Sequence, residues 1–195
     1  MEDHVIDVIV SLYSQNNWKR ILDISDESKN AVTTKLLWVW PTKKNLQFVQ
    51  GVIEKYNLKG IISIGCGTGL LEWLIHSFSN FSVIGIEVNK EWWTSKYSMP
   101  QFIPVKFPSM PIQSNDLKED HALLFCYFNN GPAFQDYVNA YAGNVIMIIG
   151  PGPGRGTHTD PDPFKPKLKD AWELCDFQEV GDTKDFIAVY AKIKL

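Results

Sequence analysis

Apolar residues fall along this chain in two alternating patterns. Unbroken apolar runs at 61–64, 121–128 and 144–149 have no polar face and predict strands covered on both sides. Helically spaced apolar positions lie between and before them. Leu46, Val49, Ile53 and Tyr56 make one stripe over 43–56, with Thr42 placed to cap the helix. Val5, Ile6, Ile9, Val10, Leu12 and Tyr13, then Ile21 and Leu22, predict helix over 3–24 with a break at Asn16-Asn17. The polar stretch 23–33 reads as a turn or short helix.

Shorter signals complete the series. A β-rich run at 82–89 precedes a helical stretch over 90–96, and 101–107 alternates enough for a third strand that Pro104 confines to an edge. A helix is expected after Asn129-Asn130-Gly131-Pro132 and through 141, and another over 168–174. Two final strands, 177–180 and 186–193, flank Gly181-Asp182-Thr183-Lys184-Asp185, a connection short enough for a hairpin. Strands alternating with helices and closing on a hairpin predict an α/β architecture. The expected division is an N-terminal helical extension or lid over 1–58 and a sheet domain over 59–195.

The first buried run ends in Ile64-Gly65-Cys66-Gly67-Thr68-Gly69 and then turns helical near Thr68. Glycines let the backbone turn tightly and leave main-chain N–H groups unshielded, so a strand, a glycine turn and a helix N-terminus together form a nucleotide-cofactor pocket. The pyrophosphate-binding version needs a third glycine where this chain has Leu70, which disfavours an NAD-linked dehydrogenase. A carboxylate for ribose hydroxyls is expected about 20 residues on, at the end of the next strand. Glu87 follows Gly67 by 20 positions. Its alternative role is to cap a helix starting at Asn89.

Through Ile64-Gly65-Cys66-Gly67-Thr68-Gly69 and Val83-Ile84-Gly85-Ile86-Glu87, the sequence resembles the class I S-adenosylmethionine-dependent methyltransferases, in a poorly characterised branch. The likeness extends to Leu37-Trp38-Val39-Trp40-Pro41-Thr42, to Leu123-Leu124-Phe125-Cys126-Tyr127-Phe128 and to Asn144-Val145-Ile146-Met147-Ile148-Ile149-Gly150. It implies a doubly wound, mostly parallel seven-stranded sheet with a terminal antiparallel hairpin, and S-adenosylmethionine as cofactor with S-adenosylhomocysteine as product. Ser63, Gly65, Cys66, Gly67, Thr68, Gly69, Glu87, Val88 and Asn129 are then cofactor contacts. Trp40 would close over the methionine part or shape the acceptor pocket, and Thr42 would bind the methionine carboxylate. Trp38 fits core packing better. Many family members carry an acid where this chain has Ser63, to hold the donor's amino group; Glu72 or a water network would compensate here.

The acceptor side is less determined. Asn129 and Asn130, after a central strand, are placed to hold an acceptor nitrogen or oxygen, with Pro132 stiffening the turn; they serve equally well as turn formers. Methyltransferases acting on planar nitrogens resemble Asn/Asp-Pro-Pro-aromatic at this site, and Asn129-Asn130-Gly131-Pro132 departs from that. The glycine- and proline-rich loop over 150–166 offers Arg155 to anchor an anionic acceptor and His158 as a base near neutral pH. Read alone, each of these is a residue of a solvated loop. His158, Asp160 and Asp162 make a poor metal set, and no metal is expected.

Composition narrows the class. The 195 residues are 45% hydrophobic and 21% charged, enough for one good core, and the net charge of −3 gives no global attraction to phosphate backbones. Nucleic acid is therefore not favoured over a small-molecule or protein acceptor. No apolar run reaches membrane-spanning length and the start Met1-Glu2-Asp3-His4 is no signal peptide, so a cytoplasmic protein is expected, with the nucleus not excluded. Cys66, Cys126 and Cys175 are unpaired in spacing and read as free thiols. Two functions follow: an active methyltransferase, or a non-catalytic sensor or scaffold that binds the same cofactor.

Overall fold

The computed structural model describes residues 2–193. Its sheet is built on β1 (Gly60–Ile64), β2 (Ser82–Ile86), β3 (Val105–Lys106), β4 (His121–Cys126), β5 (Val145–Pro151), β6 (Trp172–Glu179) and β7 (Asp185–Lys192). The spatial order is β3-β2-β1-β4-β5-β7-β6. The first five strands are mutually parallel, and β7 enters antiparallel to both β5 and β6.

Successive side chains of a strand point to opposite faces, so each apolar run feeds two layers at once. Ile61, Leu124, Met147 and Val189 enter one core, while Ile62, Ile64, Leu123, Phe125, Ile146 and Ile148 enter the other. On the first face lie α1 (Glu2–Ser14), α2 (Trp18–Leu22), α3 (Asp26–Val32), α4 (Lys43–Lys55) and α5 (Leu70–Ser79). On the second, α7 (Gly131–Ala140) brings Phe134, Tyr137 and Val138 down with Ile112 and Leu117. The short α6 (Lys90–Trp93) has no buried residue, and Asn89, not Glu87, caps it by accepting the Trp92 N–H. Val5, Ile9, Ile21 and Val32 belong to the same buried cluster as Leu46 and Ile61, so residues 2–58 share the sheet's core.

Local chemistry sets the element ends. Asn17 caps α2 where the helical pattern breaks, and Ser25 caps α3 within the polar stretch. Thr42 opens α4 through a reciprocal capping box with Asn45. Asn45 is itself buried and reaches across to the sheet, its amide nitrogen donating to Gln178 Oε1 (2.7 Å) and to the Glu179 carbonyl (2.9 Å).

Three expectations are corrected. The third strand shrinks to Val105–Lys106, because Pro104 lacks an N–H and the Phe102 N–H is committed to the Thr68 carbonyl (2.8 Å). No helix forms over 168–174: Trp172 already begins β6, opposite Lys192, and its indole stacks on Tyr141 with ring centroids 6.3 Å apart. The helix after the glycine turn begins at Leu70, with Gly69 as its left-handed cap, two residues later than expected.

The strand order runs outward in opposite directions from β1 and β4, which creates a crevice at their carboxyl ends. The α4 cap generates a stability test. Asn45→Ala takes the side-chain donor from the half-buried Glu179 carbonyl and removes the capping box, and is expected to cost about 3 kcal/mol. Thr42→Ala removes only the cap, about 1 kcal/mol. Urea denaturation checks the ratio; equal losses would show that the link to β6 contributes nothing.

Candidate active site

The turn between β1 and α5 holds its shape by positive φ at Gly65 (68°), Gly67 (60°) and Gly69 (76°). At Gly69 a Cβ would also strike Ile103 Cγ1 at 2.4 Å, so this position excludes side chains twice over. Main-chain bonds tie the turn to its neighbours: Gly65 N–H donates to the Ile86 carbonyl (2.8 Å) and Gly69 N–H to the Cys66 carbonyl (3.0 Å). Thr68 is buried, donates its hydroxyl to the Leu36 carbonyl (2.7 Å), and accepts the Leu70 N–H (3.3 Å). Glu87, just past β2, accepts the Gly67 N–H on Oε1 at 2.8 Å. The acid and the glycine turn, 20 residues apart in sequence, are thus in direct contact.

Against this turn lies a cavity of about 290 Å³, with Gly65, Cys66, Gly67 and Thr68 on one side and Thr34 to Trp38 of the N-terminal segment on another. Its floor carries Glu72 from the first turn of α5. Glu72 is 2% exposed; its Oε1 accepts the Ser63 hydroxyl at 2.5 Å, and its Oε2 has no hydrogen-bond partner among the described residues. Burial pushes its carboxyl up to about 7, against the pull of the Ser63 hydrogen bond and with a further push from the Glu87 charge. Ser63 itself does not line the cavity; it stands behind Glu72. Burial also raises the Cys66 thiol well above its ordinary range, which keeps it protonated and unreactive.

The opposite wall is made at the end of β4. Tyr127 takes a left-handed backbone (φ 49°), uncommon for a bulky residue. Its phenol donates to the buried Asp185 Oδ1 (2.6 Å), and Arg155 Nε donates to Asp185 Oδ2 (3.3 Å). The Trp38 indole stacks on the Tyr127 ring at 5.3 Å between centroids, 14° from parallel, and is half exposed at the cavity mouth. Asn129 joins this wall; its Oδ1 accepts the Asp160 N–H (3.1 Å), which anchors the long β5–β6 loop to the site, and its amide nitrogen has no partner among the described residues.

Several expected site residues lie elsewhere. Trp40 and Thr42 border a separate hollow with Trp18 and Lys19, where Trp40 donates to Thr33 Oγ1 and Thr42 is occupied as a cap. The tryptophan at the cavity is Trp38, the one expected to serve as core, because Val39 turns inward between the two. Asn130 uses its Oδ1 to cap α7 on the Ala133 N–H (3.1 Å), and Pro132 is an exposed residue of that helix's first turn. His158 is exposed and lines a different hollow of the β5–β6 loop. Arg155 pairs its Nε with Asp185. Val88 is 61% exposed and, like Glu87, lies outside the cavity wall. Among the described residues no group of three metal-ligating side chains comes together.

Sequence reasoning missed Tyr127 and Asp185. Tyr127 ends an apolar run and reads as core; Asp185 sits in a hairpin turn, where an acid is ordinary. Only the pairing of β5 with β7, which sets Pro151 opposite Asp185 beside the end of β4, brings them together.

No protein-family model and no curated protein matches the chain. Solved structures do. The O-methyltransferase from Bacillus cereus in complex with SAH superposes at a TM-score of 0.53, 11% identity, over 97% of this chain and 91% of that one. Magnesium protoporphyrin IX methyltransferase from Synechocystis PCC 6803, with bound SAM, does so at 0.52 and 10% identity over 97% of each chain. At such identities the likeness is one of fold: the chain has the class I methyltransferase fold, with a seven-stranded, mostly parallel sheet and a terminal antiparallel pair.

Proposed function

We propose that the protein is an S-adenosylmethionine-dependent methyltransferase acting on a small molecule or a limited protein site. The observation that carries this reading is the contact between the glycine turn and Glu87, beside an acid-floored cavity at the strand-order switch. The residues fit the cofactor chemically. Glu87 would exchange the Gly67 N–H for ribose hydroxyls, the positive-φ glycines leave room for an adenosyl group, and Glu72 presents negative charge where a methionine end would lie. Among the described residues no helix is long and apolar enough to cross a membrane.

When bound, the cofactor supplies an activated methyl group on a sulfonium. What remains for this chain is alignment and exclusion of water. Trp38 and Tyr127 form a flat aromatic wall at the mouth, and the free amide nitrogen of Asn129 is placed to orient an acceptor. Burial and the hydrogen bond to Asp185 raise the Tyr127 pKa against the opposing pull of Arg155, so Tyr127 serves as a hydrogen-bonding wall and not as a base.

Calorimetric titration of the purified protein with S-adenosylmethionine and S-adenosylhomocysteine tests the reading. Micromolar binding of both, followed by transfer of labelled methyl to an acceptor fraction, is expected; binding without transfer to any acceptor identifies the non-catalytic sensor, and no binding to the folded protein refutes both. Glu87→Ala is expected to weaken S-adenosylhomocysteine about 30-fold, the loss of two charge-assisted hydrogen bonds. Asn129→Ala should leave cofactor affinity within about twofold and lower turnover about 100-fold. Unchanged turnover in that variant would move the acceptor site away from β4.

A further inference from the structure

A buried carboxylate oxygen without a partner is costly, and proteins retain one chiefly where a ligand completes it. Glu72 Oε2 is such an atom: its sister oxygen is satisfied by Ser63, and the residue forms part of the cavity wall. Among the described residues no cation is paired with it. The cavity wall around it holds Cys66 from the glycine turn and Cys126 and Tyr127 at the end of β4, and the Glu87 charge acts on it from just past β2. Lys35, on the N-terminal segment at the rim, pairs its ammonium with Glu2. A donor must therefore arrive with the ligand, and a charged one gains most from a desolvated carboxylate.

We propose that Glu72 is the anionic partner of an ammonium group on the ligand and, resting on the cofactor reading above, that it holds the α-amino group of the cofactor's amino-acid end. This makes Glu72 a specificity residue: it selects adenosyl thioethers and sulfoniums that carry an amino acid over those that lack one. It also couples binding to a proton. The free carboxyl titrates at about 7, and an ammonium beside it favours the charged form. Below that pH binding must release a proton, so affinity is full above it and falls as pH falls through it. Ser63 acts through Glu72 as a positioning residue; its hydrogen bond stabilises the carboxylate, so its loss moves the titration upward.

The experiment is calorimetry of the full chain with two probes, S-adenosylhomocysteine and 5′-methylthioadenosine, which shares the adenosyl thioether and lacks the amino acid. Between about pH 8 and pH 5.5, S-adenosylhomocysteine affinity is expected to fall about tenfold per pH unit below 7, with proton release visible in buffers of different ionisation enthalpy. Methylthioadenosine affinity should stay flat. Glu72→Gln should weaken S-adenosylhomocysteine about thirtyfold at the alkaline end, abolish its pH dependence, and spare methylthioadenosine. Because that substitution removes a buried charge, its melting temperature should be no lower than wild type, which excludes misfolding as the cause. Ser63→Ala should shift the pH midpoint upward. A pH-flat profile with unchanged affinity in Glu72→Gln, or equal weakening of both probes, overturns the proposal and leaves the cofactor reading standing. Failure of folded wild-type protein to bind either probe overturns the cofactor reading itself.

Discussion

The turn at Gly65–Gly69 is the point on which the rest of the site hangs. Its three positive-φ glycines cost conformational entropy in the unfolded chain, and the fold recovers that cost by binding the turn from several directions. The Ile86 carbonyl holds it from β2, the Phe102 N–H from the approach to β3, the Leu36 carbonyl from the N-terminal segment, and Glu87 from beyond β2. A segment held on so many sides keeps its N–H groups and the first turn of α5 in fixed positions. Glu72 is placed by the same constraint, since it stands one residue beyond Leu71 on the helix that the turn launches.

That anchoring also ties residues 2–58 to the sheet. Thr68 reaches Leu36 by a hydrogen bond, α4 reaches β6 through Asn45, and α1 buries Ile9 in the core that contains Ile61. The segment from Thr34 to Trp38 is therefore a wall of the cavity positioned from two sides, by α3 before it and α4 after it. A wall held this way shields one side of the cavity. Its aromatic member, Trp38, stays half exposed because Tyr127 supports only one face of the indole.

Most of the fold was legible because period and length carry it. The unbroken runs at β1, β4 and β5 had to be buried on both faces, and the stripe Leu46, Val49, Ile53 had to lie on something apolar. The segment at 168–174 was misread because Trp172, Leu174 and Cys175 suit either element; pairing with β7, a tertiary fact, decided for strand. In the site, the glycine turn and Glu87 were legible because backbone geometry and a fixed spacing demanded them. The choice between Trp38 and Trp40 was not, because two residues apart on an extended segment they face the same side by rule. The short Thr33–Leu37 bridge and the Trp40 bond to Thr33 break that regularity.

Ser63 and Glu72 together place a carboxylate behind the glycine turn from two different elements. Ser63, within β1, brings no charge, yet its hydroxyl lies 2.5 Å from a carboxylate on the next helix. Depth has a consequence that proximity alone lacks. A carboxylate at a cavity rim stays ionised through the physiological range, whereas one at 2% exposure with an unpartnered oxygen has its titration moved to about 7. The arrangement therefore joins electrostatic attraction to a proton equilibrium, and that coupling follows from burial and geometry, independent of which acceptor the aromatic wall receives.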